Sequence, residues 1–419
     1  MALKLRELRR RIERALTTDR VVAVMGPRQA GKTTLVRHQL RTERPLRYYN
    51  LKDPEVRAHL ARQGRQELAA FPDHVKILDE VQALPELLQR VQVIVDERPG
   101  VQGQFVVLGS NHLLLNRQIK ESLAGRVGLF HLPPLSLREL SDAPSPGLFD
   151  ALVEAKGPAE AEAILQEAYL PSDAQISAQA ALETLSTFGG FPELLTRRDP
   201  DDRRRWLRDY RQTYLQADLR ELVDLRDPDT FERFERVFAP RVGSPLNLSD
   251  LARDCGVSPD TARRFLHYHE QLFVAWPCRP WFKNLAKRVI KAPKWYFTDT
   301  GLLRSINEDF ASTSGAAFEN TVLSELRKRL YLSTLRDDVA FSRTSNGVEA
   351  DAVFSASNGR LTYFCEVKSA LEAHPTHIRH LRRFVDEGED RFGLLVTRAP
   401  GPERMGERIW SVPAEWLLA

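Results

Sequence analysis

Hydrophobic residues between positions 21 and 140 fall into short runs that alternate with helical patterns. Each run predicts a β-strand, because it is apolar, short and bounded by glycine or polar residues. The runs are "VVAVMG", "VKILDE", "FVVLGS" and "VGLFHL". Strands that alternate with helices are typical of a parallel sheet covered by helices. The sequence therefore predicts an α/β unit at the start of the chain.

An amphipathic helix precedes this unit. Leu5, Leu8, Ile12 and Leu16 recur at helical spacing in "MALKLRELRRRIERAL". The same segment is rich in arginine, as a transit peptide would be, but it also contains glutamates. We therefore expect a helix docked on the first unit.

The character of the chain changes after residue 140. Residues 141–185 are acidic and rich in alanine, and a charged helical stretch continues to about residue 240. A basic and aromatic segment follows, and from residue 315 a helix, strands, a second helix and further strands are predicted. These shifts predict an α/β multidomain protein with four parts, namely residues 1–140, 141–240, 241–310 and 311–419.

Composition narrows the class of protein. A chain of 419 residues with 42% hydrophobic and 28% charged residues is typical of a globular protein with two to four domains. The net charge of +4 permits a polyanionic partner without requiring one. Three widely spaced cysteines argue against a disulfide framework or a zinc cluster and favour a reducing, cytoplasmic location. No run reaches the roughly 20 apolar residues of a membrane helix, so we expect no membrane partner.

The segment "GPRQAGKTT" follows the first predicted strand and opens a helix, which is the context of a phosphate-binding P-loop. Glycines let the loop curl so that backbone N–H groups face phosphate oxygens. Lys32 is expected to reach the β- and γ-phosphates of ATP, and Thr33 to bind Mg²⁺. The predicted nucleotide-binding residues are Gly26, Pro27, Arg28, Gln29, Ala30, Gly31, Lys32, Thr33 and Thr34.

Two acids end the strand "VKILDEVQ". Asp79 is expected to hold the Mg²⁺ ion, and Glu80 to polarise the attacking water as a general base. A glutamate at this position favours an ATPase over a GTPase or a small-molecule kinase. Ser110 and Asn111 end the next strand, and either residue suits the role of γ-phosphate sensor.

Arg126 ends a helix just before a further strand. One interpretation is an arginine finger that reaches the nucleotide of a neighbouring subunit in a ring oligomer. The other is a cation that interacts with the dipole at the end of its helix.

Several of these motifs resemble one family. "GPRQAGKTT", "LDEVQ", "GS" followed by "SLAGRV", "LSLREL" and "GGFPELL" are similar to prokaryotic AAA-type P-loop ATPases with a C-terminal domain of unknown function. The resemblance covers nearly the whole chain. It implies an ASCE-type ATPase core with a helical connector, a winged helix, and a C-terminal domain with a restriction-endonuclease-like fold. It also implies relatives that work on DNA or act as nucleotide-dependent switches.

Residues 246–276 predict a helix-turn-helix, in which Gly256 makes the turn, Ser258 caps the second helix and Pro259 is its first residue. The next segment, 278–297, predicts a hairpin wing that is basic and rich in aromatic residues. Such a combination favours contact with a nucleic-acid backbone, although a winged helix also serves to pack domains. The predicted DNA-binding residues are Thr261, Arg263, Arg264, Lys283, Lys287, Arg288 and Lys291.

The last part contains charged residues at predicted inward positions. Glu319 shares a helix face with apolar residues, Asp351 lies within a strand, and Glu366 and Lys368 share one face of "YFCEVKSA". Clustered acids need a cation or protons. This arrangement resembles the PD-(D/E)XK nuclease pattern, which implies Mg²⁺ or Mn²⁺ on Asp351 and Glu366, with Glu319 assisting and Lys368 activating water. The alternative is a degenerate nuclease fold used for binding.

The sequence thus predicts a Mg²⁺-dependent AAA-type ATPase that acts on DNA as a translocase or remodeller of branched DNA. Its expected assembly is a homo-oligomer, for example a hexameric ring. One alternative is a nucleotide-gated switch whose later domains only bind partners. Another is a nuclease whose ATPase licenses cutting.

Overall fold

The structure is a computed structural model that describes residues 3–110, 122–143, 146–215, 228–281, 292–311, 314–333, 338–344, 346–356 and 359–419. Asn111, Lys283, Lys287, Arg288 and Lys291 lie outside these ranges, so their expected roles stay predictions.

The first unit is a five-stranded parallel sheet with the strand order β2-β3-β4-β1-β5. Its strands are β1 (Val21–Met25), β2 (Leu46–Asn50), β3 (Val75–Asp79), β4 (Phe105–Gly109) and β5 (Val127–His131). The four predicted strands are confirmed, and β2 is a fifth strand at one edge. Its sequence, "LRYYN", is only partly buried and lacks a continuous apolar run. Because all five strands are parallel, the segments that follow β1, β3 and β4 meet at one edge of the sheet.

Helices cover both faces of this sheet. They are α1 (Leu8–Ala15), α2 (Lys32–Thr34, continued by a π-helical turn over Leu35–Gln39), α3 (Pro54–Ala69) and α4 (Leu87–Glu97). Leu8 and Ile12 of α1 pack in the core of one face, and α3 and α4 pack on the other. The predicted N-terminal helix is therefore confirmed. Leu5, however, is 62% exposed, because it precedes the helix and does not share its buried face.

The segment after this unit is helical, as predicted. Its helices are α5 (Leu137–Ser141), α6 (Leu148–Glu154), α7 (Pro158–Gln166), α8 (Ser172–Phe188), α9 (Pro200–Tyr210) and α10 (Pro228–Phe238). Ser136 starts α5 with a capping box, in which its side chain accepts from Glu139 N and Glu139 reaches back to the N-cap backbone. Gly189 ends α8, and a Cβ there would lie 1.9 Å from Asp299 Oδ1. Glycine is therefore required at this crossing.

The predicted helix-turn-helix is present as α11 (Leu248–Cys255) and α12 (Pro259–Gln271). Gly256 makes the turn with φ +67°, and Ser258 Oγ accepts a 3.1 Å hydrogen bond from Thr261 N, as predicted. An antiparallel hairpin follows, formed by β6 (Ala275–Pro280) and β7 (Lys294–Phe297).

This hairpin joins the C-terminal sheet, which has eight strands in the order β12-β13-β11-β10-β9-β8-β6-β7. The further strands are β8 (Ala340–Arg343), β9 (Glu349–Ser355), β10 (Thr362–Val367), β11 (Arg391–Thr397), β12 (Glu403–Gly406) and β13 (Ile409–Pro413). β6 pairs in parallel with β8, at Arg279 opposite Ala340 and Pro280 opposite Phe341. One sheet thus extends across the predicted boundary at residue 310.

The remaining helices are α13 (Thr300–Asn307), α14 (Gly315–Leu332), α15 (Arg379–Asp386) and α16 (Ala414–Leu418). The predicted apolar stripe of α14 is buried, and one continuous core joins the connector helices, the helix-turn-helix and the C-terminal sheet. The three cysteines are buried and form no disulfide. Within the described ranges, we find no helix with the length and apolar character needed to span a bilayer.

Candidate functional site

The predicted P-loop connects β1 to α2 at the carboxyl edge of the parallel sheet. Gly26 passes so near the chain after β5 that a Cβ there would lie 2.2 Å from Leu132 O. Gly31 has φ +92°, a left-handed conformation that glycine adopts without strain. The backbone therefore requires glycine at both positions. Its curled path turns N–H groups toward the space in which an anion would bind.

The other predicted nucleotide-binding residues lie along the same loop and its first helical turn. Pro27 and Ala30 are buried, Arg28 and Thr34 are half-buried, and Gln29 is exposed with φ +60°.

Lys32 is the first residue of α2, and its side chain folds back over the loop. Its ammonium group donates hydrogen bonds to Gly26 O at 2.8 Å and to Pro27 O at 2.9 Å. The side chain is buried, with a residue exposure of 6%. The predicted phosphate-binding cation is thus held inside the loop rather than in solvent.

Thr33 and Asp79 meet as predicted. Thr33 Oγ1 donates a 2.7 Å hydrogen bond to Asp79 Oδ2, which also accepts one from the Tyr48 hydroxyl at 2.6 Å. Burial and the hydrogen bond to Asp79 raise the pKa of Tyr48, so this phenol remains a donor. A hydroxyl and a carboxylate are oxygen ligands that Mg²⁺ prefers. These residues therefore fit a magnesium ion, with Tyr48 as an orienting partner that the sequence did not reveal.

Glu80 follows β3 in a left-handed conformation with φ +56°. Its carboxylate pairs with Lys52 Nζ at 3.2 Å and accepts hydrogen bonds from Gln82 and, at 3.4 Å, from Ser110 Oγ. Burial raises the pKa of Glu80, but the charges of Lys52, Lys32 and Arg28 outweigh burial and hold this pKa below its usual value. The carboxylate is therefore ionised at neutral pH, as a general base must be.

Residues far away in sequence support the P-loop. Arg6 donates to Ala30 O at 2.6 Å and to Glu139 Oε1 at 3.0 Å. From α9, the Tyr210 hydroxyl donates to Arg28 O at 3.1 Å. The only signal in the sequence for these contacts is the "LSLREL" run that contains Glu139.

Arg126 directly precedes β5 and forms a bidentate ion pair with Asp96 of α4. Its Nε and Nη2 atoms are 2.6 Å and 2.8 Å from the two carboxylate oxygens. About a quarter of its side chain is exposed. Arg126 is thus at the surface but held by a partner on its own chain, so an arginine finger would have to exchange Asp96 for the neighbour's phosphate.

The second helix of the helix-turn-helix presents part of the predicted DNA-binding set. Arg263 and Arg264 are exposed and Thr261 is half-buried. Arg263 forms an ion pair with Asp260 at 2.5 Å, with both side chains largely in solvent. Exposed ion pairs of this kind contribute little to stability, so Arg263 remains available to a phosphate.

Two aromatic residues of the predicted wing do not serve the role expected of them. Trp295 and Tyr296 are buried and contact Phe238 and Trp276, respectively. Lys294 is 1% exposed. The interpretation of these residues as part of a nucleic-acid surface is therefore wrong. β7 continues a buried sheet, and its aromatic side chains fill the core.

The four charged residues of the nuclease-like pattern lie close together near the N-terminal end of α14. Tyr296 OH donates to Glu319 Oε1 at 2.6 Å, Asp351 Oδ2 accepts from Val367 N at 2.9 Å, and Lys368 Nζ pairs with Glu366 at 2.7 Å.

A second lysine, missed in the sequence, belongs to the same group. Lys294 Nζ lies 3.5 Å from Asp351 Oδ1 and 3.8 Å from Glu319 Oε1, and it also pairs with Glu349. We call Lys294, Glu319, Glu349, Asp351, Glu366 and Lys368 the carboxylate–lysine cluster.

Lys294, Glu319 and Glu366 of the carboxylate–lysine cluster have pKa values above their usual ones. Burial and the charge of Asp351 raise the pKa values of Glu319 and Glu366 well above the usual range for glutamate. Burial lowers the pKa of Lys294, but its three carboxylate neighbours outweigh burial and raise it above its usual value. Lys294 therefore stays charged and supplies the positive charge that the acids require.

The predicted metal ligands Asp351 and Glu366 each lie beside a lysine in this arrangement, so their binding of a metal ion stays a prediction. Within the ranges that the structure describes, no group of three or more aspartate, glutamate, histidine or cysteine side chains is placed to hold a metal ion. Lys294 instead neutralises Asp351 directly.

Three family models match the chain. Residues 18–141 match "AAA domain", residues 179–313 match "Domain of unknown function (DUF8612)", and residues 314–417 match "Domain of unknown function (DUF4143)". The first unit is therefore an AAA domain, as the resemblance of its motifs implied.

Two curated relatives match over the whole chain. They are "Uncharacterized protein Rv2008c" of Mycobacterium tuberculosis (strain ATCC 25618 / H37Rv) and "Uncharacterized protein Mb2031c" of Mycobacterium bovis (strain ATCC BAA-935 / AF2122/97). Each is 30% identical over 436 residues, and the match covers 100% of this chain and 85% of the relative.

Solved structures show weaker likenesses. The Walker-type ATPase PABY2304 of Pyrococcus abyssi has a TM-score of 0.45 at 16% identity, covering 72% of this chain and 94% of that one. The RuvB Holliday junction branch migration motor of Thermotoga maritima has a TM-score of 0.27 at 18% identity, covering 64% and 88%. These likenesses are too slight to carry an argument about function.

Proposed function

The chain belongs to the family of the uncharacterized mycobacterial proteins Rv2008c and Mb2031c, and we propose that this protein is a magnesium-dependent ATPase. The observation that carries the proposal is the Thr33–Asp79 hydrogen bond of 2.7 Å, with the buried Lys32 ammonium in the adjoining loop. This arrangement unites a cation for phosphate, oxygen ligands for Mg²⁺ and a loop of curled backbone.

Each residue then has a defined task. The loop and Lys32 bind and orient the β- and γ-phosphates, while Thr33 and Asp79 would hold a magnesium ion that neutralises phosphate charge. Glu80 accepts a proton from the attacking water, because its carboxylate is ionised and lies beside Ser110 at the end of β4. Ser110 is the described candidate for sensing the γ-phosphate.

The experiment is a comparison of Lys32→Ala with Lys156→Ala, since Lys156 is exposed and lies outside the P-loop. We expect Lys32→Ala to lose ATP binding and phosphate release, and Lys156→Ala to retain both. Equal activity in the two variants contradicts the proposal. Thermal unfolding of both variants separates loss of the site from loss of the fold.

We further propose that the helix-turn-helix contacts DNA through Arg263 and Arg264. Both arginines are exposed on α12, where cations can meet phosphates. Replacing both with glutamate should weaken DNA binding by about ten-fold or more at low salt and flatten its salt dependence. The matched control is Arg205→Glu, a substitution of an exposed arginine in α9 that forms a similar short-range ion pair with Asp202.

The rival function is a nucleotide-gated switch whose later domains only bind partners. Lys294 favours this rival, because it neutralises the acids that a metal-dependent nuclease needs. The nuclease prediction and the switch separate in one assay, in which DNA is incubated with ATP and Mn²⁺. Cleavage that Lys368→Ala abolishes supports the nuclease prediction, whereas intact DNA together with continued ATP hydrolysis supports the switch.

A further inference from the structure

The short helix α15 packs on the C-terminal sheet through apolar side chains. Its buried residues are Leu381, Phe384 and Val385. The ring of Phe384 stacks on that of Phe364 in β10, with ring centres 5.1 Å apart. Phe364 and Glu366 are two residues apart on this strand, so they share one of its faces. α15 therefore covers the face of the sheet that carries Glu366 of the carboxylate–lysine cluster.

The opposite face of α15 is basic. Arg379, Arg382 and Arg383 are exposed, and spacings of three and four residues place them on one side of the helix. The three positions span about 6 Å along the helix axis. The apolar residues of α15 are all buried, and its remaining exposed residue is Asp386. This side of the helix thus offers charge to a partner and no hydrophobic surface.

The three arginines of α15 lack the acidic partners that other exposed arginines have. Arg205 of α9, for example, pairs at 2.9 Å with Asp202, one turn earlier in its helix. Within the described ranges, no carboxylate lies within ion-pair distance of the α15 arginines, and Glu387, just beyond the helix, pairs with Arg391 at 2.8 Å. The charge of these arginines is therefore not neutralised inside the protein.

The position of Arg379 is also unfavourable for the helix itself. Arg379 is the first residue of α15, and the first turn contains no acid. The N-terminal end of a helix carries a partial positive charge, which repels a cation placed there. The sequence around it, "HPTHIRHLRRF", adds three histidines and no acid. Helix stability does not account for this arrangement of charge, whereas an anionic partner does.

We propose that the basic face of α15 binds the phosphate backbone of duplex DNA. Guanidinium groups form charge-assisted, often bidentate hydrogen bonds with phosphate oxygens. Duplex DNA carries one negative charge per about 1.7 Å of its axis, so three arginines within about 6 Å meet more than one phosphate. A helix that binds a membrane surface would instead expose apolar side chains, which α15 buries.

This contact goes beyond the function proposed above, because it depends neither on the ATP site nor on the helix-turn-helix. Phosphate contacts carry no sequence information, so binding by α15 is independent of base sequence. DNA held there lies over the sheet face that carries Glu366.

Titration of a fluorescent duplex DNA with the full chain, at several salt concentrations, tests the proposal. The variant that combines Arg379→Gln, Arg382→Gln and Arg383→Gln should bind about ten-fold or more weakly at low salt. Each lost phosphate contact lowers the slope of log affinity against log salt by about 0.9, so this slope should fall by about two to three.

The matched control combines Arg62→Gln, Arg65→Gln and Lys156→Gln. It removes the same net charge at exposed positions outside the C-terminal sheet, so it should bind DNA as the wild type does. The proposal is overturned if the wild type binds no DNA, if the folded α15 variant keeps the affinity and salt slope of the wild type, or if the control loses as much affinity as the α15 variant.

Chemical footprinting of the wild type keeps the test decisive if the α15 variant fails to fold. Saturating DNA should protect the three α15 arginines from modification by phenylglyoxal, with exposed Arg62 as the unprotected reference. Equal modification with and without DNA overturns the proposal, and so does equal protection by polyglutamate, which would assign the surface to acidic proteins. The protection should persist in the variant with Arg263→Glu and Arg264→Glu, so failure of the α12 contact is distinguishable from failure of this one.

Discussion

The ammonium group of Lys294 lies 3.5 Å from the carboxylate of Asp351, in a position that is 1% exposed. The same ammonium pairs with Glu319 and Glu349, so one buried cation neutralises three acids. Acids this close repel one another unless a cation or protons intervene. Lys294 therefore supplies the positive charge that offsets repulsion among these acids in the folded protein.

Replacing Lys294 with methionine should lower the thermal midpoint at neutral pH, because removing one partner of a buried ion pair costs about 3–5 kcal/mol. Added Mn²⁺ should raise the midpoint of this variant and leave the wild type nearly unchanged, since the freed acids can then bind a divalent cation. Differential scanning calorimetry with and without Mn²⁺ measures both effects.

Lys76→Met is the matched control. Lys76 is also 1% exposed, but it lies in the AAA core against Phe105, and within the described residues it forms no ion pair. Burial lowers the pKa of Lys76 to about 8. Methionine there should be neutral or stabilising and should bring no response to Mn²⁺. A destabilisation equal to that of Lys294→Met would show that ion pairing is not the cause.

Asp299 predicts a dependence of stability on pH. Its carboxylate is buried and accepts from Gly190 N at 2.7 Å, and burial raises its pKa to about 6 from an ordinary value of 3.8. Between these two values the folded state binds more protons than the unfolded state, so stability falls as pH rises through this window. The contribution lost is about 3 kcal/mol when fully expressed.

Asp299→Asn removes the titration while keeping an acceptor oxygen. Thermal midpoints measured from pH 4 to pH 7 should therefore fall more steeply for the wild type than for the variant. Parallel curves would show that Asp299 does not titrate in the folded protein.

The Arg126–Asp96 ion pair leads to a prediction about assembly. If Arg126 completes the site of a neighbouring subunit, Arg126→Ala should lower ATP turnover by about 10³-fold without changing ATP affinity. Arg20→Ala is the control, because Arg20 also faces Asp96, at 3.5 Å, and is similarly exposed. Mixing inactive Arg126→Ala with inactive Lys32→Ala should restore part of the activity, since some interfaces then pair an intact loop with an intact arginine. No recovery on mixing would favour the interpretation that Arg126 only anchors its own chain.

The sequence alone predicted the features that depend on residues close to one another in the chain. Strands β1, β3 and β4 are apolar runs buried along their whole length, and the P-loop depends on glycines whose spacing is visible in one segment. The caps of α12 were predicted for the same reason, because Ser258 and Pro259 act on the helix that they begin.

Contacts between distant segments could not be predicted in this way. Arg6 reaches Ala30 and Glu139 only because α1 folds against the loop, and nothing near Arg6 in the sequence marks that approach. The sequence predicted a basic wing over residues 278–297, whereas pairing of β6 with β8 places Lys294 and its hairpin in a buried sheet. Composition distinguishes an exposed wing from a buried strand only when the partner strand is known.

The central claim is that Glu80 activates water for the hydrolysis of ATP bound at Lys32 and Thr33. The most direct measurement is steady-state phosphate release by the wild type and Glu80→Gln, with ATP binding measured on the same samples. We predict magnesium-dependent release by the wild type, and in the variant a rate lower by about 10²–10⁴-fold with ATP still bound. Equal rates in the two proteins, or a folded wild type that releases no phosphate with Mg²⁺ in the presence or absence of DNA, would contradict the claim.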